Sequence, residues 1–212
     1  MVEPRMVADA VTRGGAKECA RLAHEALDGG LSPYVLLSDG LMAGLAVIAE
    51  QFKNNEVYVP EVLVAAKAMK AGLAIVQPRL AETGAEPVGK VVIGTVKGDL
   101  HDIGKTIVSM MLEGAGFQVV DLGNDVAPER FVQAVKEQGA QILGMSALLT
   151  TTRPNMEGTI KALRAAGGRE KVKVMVGGAP LTERFANAIG ADAYAENATV
   201  AVEKAKELLA FA

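Results

Sequence analysis

Residues 91–108 read VVIGTVKGDLHDIGKTIV, and this stretch decides the fold of the second half of the chain. It opens with the apolar run VVIGTV, which is the pattern of a strand that is buried on both faces. A polar loop follows, and apolar residues at helical spacing begin near residue 103. The stretch therefore predicts a strand, a loop and a helix, which is the repeating unit of a β/α fold.

The same pattern recurs towards the C-terminus. Further strand-like runs are FQVVDLG, ILGMSAL, KVMVGG and DAYA, and helical patterns begin near residues 128, 154, 182 and 198. Strands that alternate with helices pair in parallel, so residues 90–212 are predicted to form a Rossmann-like (flavodoxin-like), doubly wound, five-stranded parallel sheet. Such sheets bind ligands at the carboxyl ends of their strands.

The first part of the chain has a different pattern. Apolar residues recur there at spacings of three and four, and glycines interrupt them. This predicts a four-helix bundle, with helices near 3–12, 15–28, 33–52 and 60–82. Residues 83–89 are polar with glycine and proline, which is typical of a linker. We therefore expect a helical domain over 1–82 and an α/β domain over 90–212.

Composition excludes several classes of function. The formal net charge is −3 and the basic residues are scattered, so no surface for nucleic acid or an anionic membrane is expected. Charged residues interrupt every apolar stretch, which argues against a membrane span. The single cysteine, Cys19, rules out a disulfide framework, and no secretory signal is recognisable, so a cytoplasmic location is expected.

The loop after the first predicted strand admits two interpretations. It ends in Gly104-Lys105-Thr106, as a phosphate-binding loop does, but that motif requires glycine at position 99, where this chain has Asp99. A carboxylate in the cradle would repel phosphate, and Asp102 adds to the acidity. The same argument disfavours a flavodoxin-like protein that binds flavin phosphate.

The second interpretation pairs Asp99 with His101. The carboxylate can accept one imidazole N–H and leave the other nitrogen free for a metal. One histidine cannot build a zinc site, and the other histidine, His24, belongs to the predicted helical domain. A metal at His101 must therefore bring its own ligands. A corrin ring supplies four equatorial nitrogens and leaves an axial position for an imidazole.

Three separated elements carry a family resemblance: Asp99-x-His101-x-x-Gly104, Ser146-x-Leu148 and Gly177-Gly178. Together they resemble the signature of the methionine-synthase class of cobalamin-binding domains. The stretch from Phe52 to Met69 resembles the helical cap of that family. Two-domain chains of this size resemble the free corrinoid proteins of anaerobic methyltransferase systems for methylamines, methanol, betaine and aryl methyl ethers.

The resemblance implies cobalamin as the cofactor, loaded as methylcobalamin, with cobalt bound from below by His101 in place of the nucleotide base. Asp99 would control the protonation of the imidazole, and Ser146 would hydrogen-bond Asp99. The further cofactor contacts that it implies lie on the first loop (Gly98, Asp102, Ile103), around the inserted tail (Gly104, Leu148, Thr150, Gly177, Gly178) and over the upper face (Phe52, Val59). Ser38 stands where the family cap carries an acid.

The implied function is that of a methyl carrier that is not catalytic alone. Its partners would be a substrate:corrinoid methyltransferase, a methylcorrinoid:tetrahydrofolate or thiol methyltransferase, and a reductive activator. One alternative is the cobalamin subunit of an adenosylcobalamin-dependent mutase, which usually lacks the helical cap. A cobalamin-based sensor is another, but no residues remain for a DNA-binding module.

The same residues also have purely structural interpretations. Asp99 and His101 could form a surface ion pair, and Gly177-Gly178 could simply end a strand. Phe52 and Val59 could be bundle core residues.

Overall fold

The computed structural model describes residues 2–82 and 87–210, and within them the chain folds into two compact units. The first unit comprises the described residues up to 82 together with Glu113–Gly116, and the second comprises the remaining described residues from Pro87 onwards. The chain passes from one unit to the other within the predicted linker 83–89, of which residues 83–86 lie outside the described residues.

The first unit is helical, as predicted. Its helices are α1 (Pro4–Thr12), α2 (Ala16–Asp28), α3 (Pro33–Lys53) and α4 (Val59–Glu82). Helix α3 differs from the prediction because Leu36–Met42 forms π-helical turns between α-helical ends. Its Gly44 lies against α1, where a Cβ would come within 2.5 Å of the Ala8 carbonyl oxygen. Glycine thus permits close approach of the two helix backbones.

Helix α3 is also the one described helix that is long and apolar enough to cross a bilayer by length and composition. This differs from the expectation that charged residues interrupt every such stretch. The side chains of Leu36, Leu41, Leu45 and Ile48 are buried within the helical unit. Burial in the bundle therefore accounts for these four apolar positions of the helix.

The second unit is the predicted α/β fold. In chain order its elements are β1 (Lys90–Thr95), α5 (Ile103–Gly114), β2 (Gln118–Asp121), α6 (Pro128–Gln138), β3 (Ile142–Ser146), α7 (Pro154–Ala165), β4 (Lys173–Gly177), α8 (Glu183–Ile189), β5 (Ala193–Ala195) and α9 (Ala198–Ala210). The strands form one parallel sheet in the order β2-β1-β3-β4-β5. This order confirms the doubly wound, flavodoxin-like prediction.

The register of the sheet brings the ends of the inner strands to one level. Thr95 at the end of β1 pairs with Ser146 at the end of β3, and Ser146 pairs with Gly177 at the end of β4. The interior of these strands is buried. The loops that follow β1, β3 and β4 therefore leave the same edge of the sheet side by side.

Gly178, directly after β4, reports how closely two of these loops approach. Its φ is +135°, and a Cβ would lie 1.9 Å from the Ala147 carbonyl oxygen.

We expect Gly178→Ala to lower the free energy of unfolding by about 2 kcal/mol or more, because backbone strain at this φ and steric overlap of the new Cβ add. Thermal unfolding of the purified protein without added ligand measures this. Gly158→Ala, on α7 with nothing within 4 Å, is the control and should be neutral or slightly stabilising. Equal stability of the two variants would contradict the close approach.

Candidate functional site

The centre of the site is the carboxylate of Asp99, which lies in the loop after β1 and is fully buried. Its Oδ1 accepts hydrogen bonds from the backbone N–H of His101 at 3.1 Å and from the His101 ring at 2.7 Å. Its Oδ2 accepts from the N–H groups of Leu148 and Leu149 at 2.8 and 3.2 Å and from the Thr152 hydroxyl at 2.7 Å. These donors use the full acceptor capacity of a carboxylate.

These contacts determine the charge of Asp99. Burial opposes ionisation and by itself would raise the pKa of the carboxyl. The hydrogen bonds from Thr152, Leu148 and His101 outweigh burial and hold the pKa of Asp99 well below its ordinary value. Asp99 is therefore an anion at neutral pH.

The anion fixes the orientation of His101. An ionised carboxylate only accepts hydrogen bonds, so Nδ1 of His101 must carry the hydrogen that bridges the 2.7 Å to Asp99. The backbone is held as well, because the buried Thr95 donates its hydroxyl to the His101 carbonyl oxygen at 3.0 Å. The His101 side chain is 51% exposed, and no contact within the described chain occupies its Nε2. Nε2 is thus the nitrogen available to a metal.

The hydroxyl that donates to Asp99 belongs to Thr152, which corrects the prediction that Ser146 would do so. The Thr152 hydroxyl lies 2.7 Å from Asp99 and 3.0 Å from the Leu149 carbonyl, and it has one hydrogen for the shorter contact. A turn in which Thr152 N–H donates to the Leu149 carbonyl brings this side chain inward. Thr150 and Thr151 are exposed, and a run of three threonines does not reveal which one faces the carboxylate.

Apolar side chains surround the histidine loop on its exposed side. Four leucine and isoleucine residues there are between 40% and 70% exposed: Leu100, Ile103, Leu148 and Leu149. An exposed apolar patch around one free imidazole nitrogen fits a flat, largely apolar ring that carries its own metal. Within the described chain no cluster of three or more His, Cys, Asp or Glu residues could hold a metal.

The glycines predicted to contact the cofactor have different environments. A Cβ at Gly104 would meet open space, whereas one at Gly177 would come within 2.9 Å of the Ala195 carbonyl oxygen. A Cβ at Gly178 would overlap the Ala147 carbonyl oxygen in the same way, so packing alone explains why both positions are glycine. Gly98 has φ +81°, which glycine adopts readily. Whether Gly104, Gly177 and Gly178 also make room for a cofactor stays a prediction.

The remaining predicted residues lie on both units. Asp102 directly precedes α5, and its backbone carbonyl oxygen accepts a hydrogen bond from the Thr106 N–H at 2.8 Å. Ser146 is half-buried at the end of β3. Phe52 and Val59 are half-buried in the helical unit, near the end of α3 and the start of α4. Their predicted place over a cofactor stays a prediction.

The environment of Lys105 argues against the alternative that this loop binds phosphate. This residue is buried and forms an ion pair with Asp121 at the end of β2. Ser109, one turn further along α5, also lies 3.5 Å from the Asp121 carboxylate. The lysine that would bind phosphate is therefore engaged inside the fold.

Comparison with known proteins decides the family. Two models for a B12 binding domain match the chain, one over residues 89–203 and the other over residues 5–77. The chain belongs to the B12-binding corrinoid proteins. Both matches are to B12 binding domains, so this corrinoid protein binds cobalamin, and the match over 89–203 contains the whole histidine loop.

Relatives of this corrinoid protein match over nearly their whole length. It is 47% identical to dimethylamine corrinoid protein 1 of Methanosarcina acetivorans over 195 residues, which is 92% of each chain. It is 45% identical to trimethylamine corrinoid protein 1 of the same organism, covering 95% of this chain and 94% of the relative. A chain in the crystal structure of the methanol:cobalamin methyltransferase complex of Methanosarcina barkeri matches with a TM-score of 0.88 and 29% identity, over 99% of this chain and 80% of that one.

The assignment of the Thr152 hydroxyl as a donor to Asp99 can be tested by Thr152→Val, which keeps the shape of the side chain and removes the donor. We expect the free energy of unfolding to fall by about 1–3 kcal/mol, because the buried carboxylate loses a hydrogen bond. Denaturant unfolding of the corrinoid-free protein measures it. Thr152→Ser should retain most of the stability, and Ser146→Ala is the matched control, with an expected change within about 0.5 kcal/mol. A larger loss for Ser146→Ala than for Thr152→Val would contradict the assignment.

The lowered pKa of Asp99 predicts a pH dependence. A carboxyl with a lowered folded-state pKa stabilises the fold above its ordinary pKa, and this stabilisation is lost as the pH falls towards the folded value. We expect the wild type to lose more stability than Asp99→Asn between about pH 5 and pH 2. Urea unfolding at a series of pH values measures this. The exposed Glu129, changed to Gln, should follow the wild type, and parallel curves for wild type and Asp99→Asn would contradict the shift.

Proposed function

We propose that this corrinoid protein is a methyl carrier that holds cobalt from below through Nε2 of His101. The observation that carries the proposal is the half-exposed imidazole whose other nitrogen is fixed by a buried, fully hydrogen-bonded carboxylate. Metal-bound histidines regularly donate their second ring N–H to such a carboxylate, which sets the tautomer and raises the basicity of the ligand nitrogen. When bound, the corrinoid supplies a cobalt ion that accepts and gives up a methyl group.

Asp99 and its donors hold the ligand in one orientation through the cycle. The Leu148 and Leu149 N–H groups and the Thr152 hydroxyl stabilise the negative charge, so Asp99 accepts the Nδ1 hydrogen without taking it. The hydrogen bond from Nδ1 to Asp99 would hold the imidazole in the same orientation whether or not Nε2 is bound to a metal.

For the cofactor tail we propose a channel beside β3 and β4, lined by Gly104, Ser146, Leu148, Thr150 and the Gly177-Gly178 pair. The Ser146 hydroxyl is not used by Asp99, since Thr152 takes that place. Ser146 is half-buried, and Leu148 and Thr150 are exposed on the loop that follows β3. Open space at Gly104 supports the approach of the tail on the other side. Gly98, Asp102 and Ile103 belong to the loop that would meet the ring.

We propose that Phe52 and Val59, which are both half-buried in the helical unit and so keep some exposed surface, also contact the cofactor, as the family resemblance implies. The partners would be a substrate-specific methyltransferase, a second methyltransferase acting on tetrahydrofolate or a thiol, and a reductive activator, all in the cytoplasm. The dimethylamine and trimethylamine corrinoid proteins among the relatives favour a methylamine as the source of the methyl group. They also favour a carrier over a mutase subunit or a sensor.

The proposal is tested by removing the imidazole of His101. Wild type, His101→Ala and the matched control His24→Ala are reconstituted with hydroxocobalamin, and the cobalt(II) form is examined by electron paramagnetic resonance with nitrogen-15 histidine. We expect a histidine nitrogen coupling in wild type and in His24→Ala and none in His101→Ala. His24 is the other histidine of the chain and pairs with Asp28 on the exposed face of α2, so it should leave the signal unchanged.

A corrinoid bound by wild type without any histidine coupling would refute ligation by His101. A coupling that persists in His101→Ala would do the same. If ligation holds, the loaded protein should lose its methyl group only when a partner methyltransferase and its acceptor are added.

A further inference from the structure

The histidine loop is held by two neighbouring loops, one after β3 and one after β2. The strand order β2-β1-β3 places the loop after β1 between the loops after β2 and β3. The loop after β3 binds the side chain of Asp99 through Leu148, Leu149 and Thr152. The loop after β2 binds the backbone around Asp99, and its central residue is Asp125.

Asp125 holds two peptide groups of the histidine loop, the one between Lys97 and Gly98 and the one between Asp99 and Leu100. Its Oδ1 accepts the N–H of Gly98 at 2.7 Å, and its own N–H donates to the carbonyl oxygen of Asp99 at 3.0 Å. Its carboxylate also lies 3.1 Å from the Lys97 ammonium. The peptide between Lys97 and Gly98 is fixed at its other end as well, because Asn155 donates to the Lys97 carbonyl at 2.7 Å.

The backbone of Asp125 is in an uncommon conformation. Its φ is +52°, and in the described chain only one other non-glycine residue, Asn55, has a positive φ. Asp and Asn tolerate this left-handed region better than other side chains, at a cost of about 1 kcal/mol. Strained residues persist where surrounding contacts require them, and here the conformation directs both the N–H and the carboxylate of Asp125 to the histidine loop.

The charge state of Asp125 suits this role. The hydrogen bond from Gly98 and then the ammonium of Lys97 hold the pKa of Asp125 below its ordinary value. The carboxylate is therefore ionised at neutral pH. Its neighbour Asn124 adds a weaker contact, with its amide 3.3 Å from the Leu100 carbonyl.

We propose that Asp125 is a positioning residue for the lower cobalt ligand. It fixes the backbone of the Asp99 loop while the loop after β3 fixes the Asp99 carboxylate, so that His101 meets the metal in one geometry. Asp125 has no contact with the imidazole among the described residues, so it acts through Asp99. This inference rests on the proposed ligation by His101.

The test compares two substitutions at this position. Asp125→Gly removes the carboxylate and adopts φ +52° without strain, so the loss of the acceptor is separated from backbone strain. Asp125→Asn keeps an oxygen acceptor and tolerates the same φ, so it should rescue. Glu129→Gln, an exposed acid in the first turn of α6, is the control for charge.

Two readouts are needed, and the first uses no cofactor. In the corrinoid-free protein, amide hydrogen exchange of Gly98 should be roughly tenfold or more faster in Asp125→Gly, because a hydrogen bond to a charged group is lost. In the reconstituted protein, the Kd for hydroxocobalamin should rise by roughly tenfold, and the histidine coupling of cobalt(II) should weaken or become heterogeneous. Asp125→Asn and Glu129→Gln should stay within about threefold of wild type in Kd.

The outcomes separate this inference from the proposed function. If wild type shows the histidine coupling and Asp125→Gly shows the same coupling and Kd, Asp125 is not a positioning residue, and ligation by His101 stands. If Asp125→Asn folds but loses the coupling, the acceptor oxygen is not what positions the loop, and the inference also fails, even where Asp125→Gly does not fold. If wild type itself lacks the coupling, the proposed ligation fails, and this inference fails with it.

Discussion

The site depends on one buried anion. Asp99 is removed from water, which is unfavourable for a charged group unless hydrogen bonds replace its hydration. Here five hydrogen bonds do so, from the backbone and side chains of His101, Leu148, Leu149 and Thr152. The carboxylate therefore orders the loop after β3 and sets the imidazole tautomer at the same time. Removal of this charge would leave several buried donors without a partner.

The sheet makes this convergence possible. Parallel strands place all their carboxyl ends at one edge, and the pairing of Thr95 with Ser146 brings the loops after β1 and β3 to the same height. The strand order adds the loop after β2 on the other side. The histidine loop is consequently fixed at its backbone by Asp125 and at its acidic side chain by Thr152, from opposite neighbours. A ligand on a loop gains in this way the rigidity of the strands beside it.

The strands and helices of the α/β unit could be predicted from sequence because burial on both faces leaves continuous apolar runs, as in residues 91–96. The order Asp99, His101, Gly104 likewise identified the loop. The π-helical turns at Leu36–Met42 could not be predicted, since apolar residues over so few turns have nearly the same spacing in both kinds of helix. The donor to Asp99 was misassigned for a different reason: Ser146 ends a strand, and the turn that carries Thr152 inward depends on contacts distant in sequence.

The sequence by itself determined the two kinds of domain and the order of the β/α repeats, which follow from local periodicity. The candidate ligand His101 came from residue types on one loop, and the class of cofactor came from the resemblance of three separated elements to a known family. Only the tertiary structure decided that Nε2 is the free nitrogen, that Thr152 supplies the hydroxyl, that packing requires Gly177 and Gly178, and that Asp125 holds the loop. The first follows from a hydrogen bond within one loop, between His101 and Asp99, whereas the other three are contacts between segments that lie far apart in the chain. Strand order and register, rather than spacing in sequence, bring such segments together.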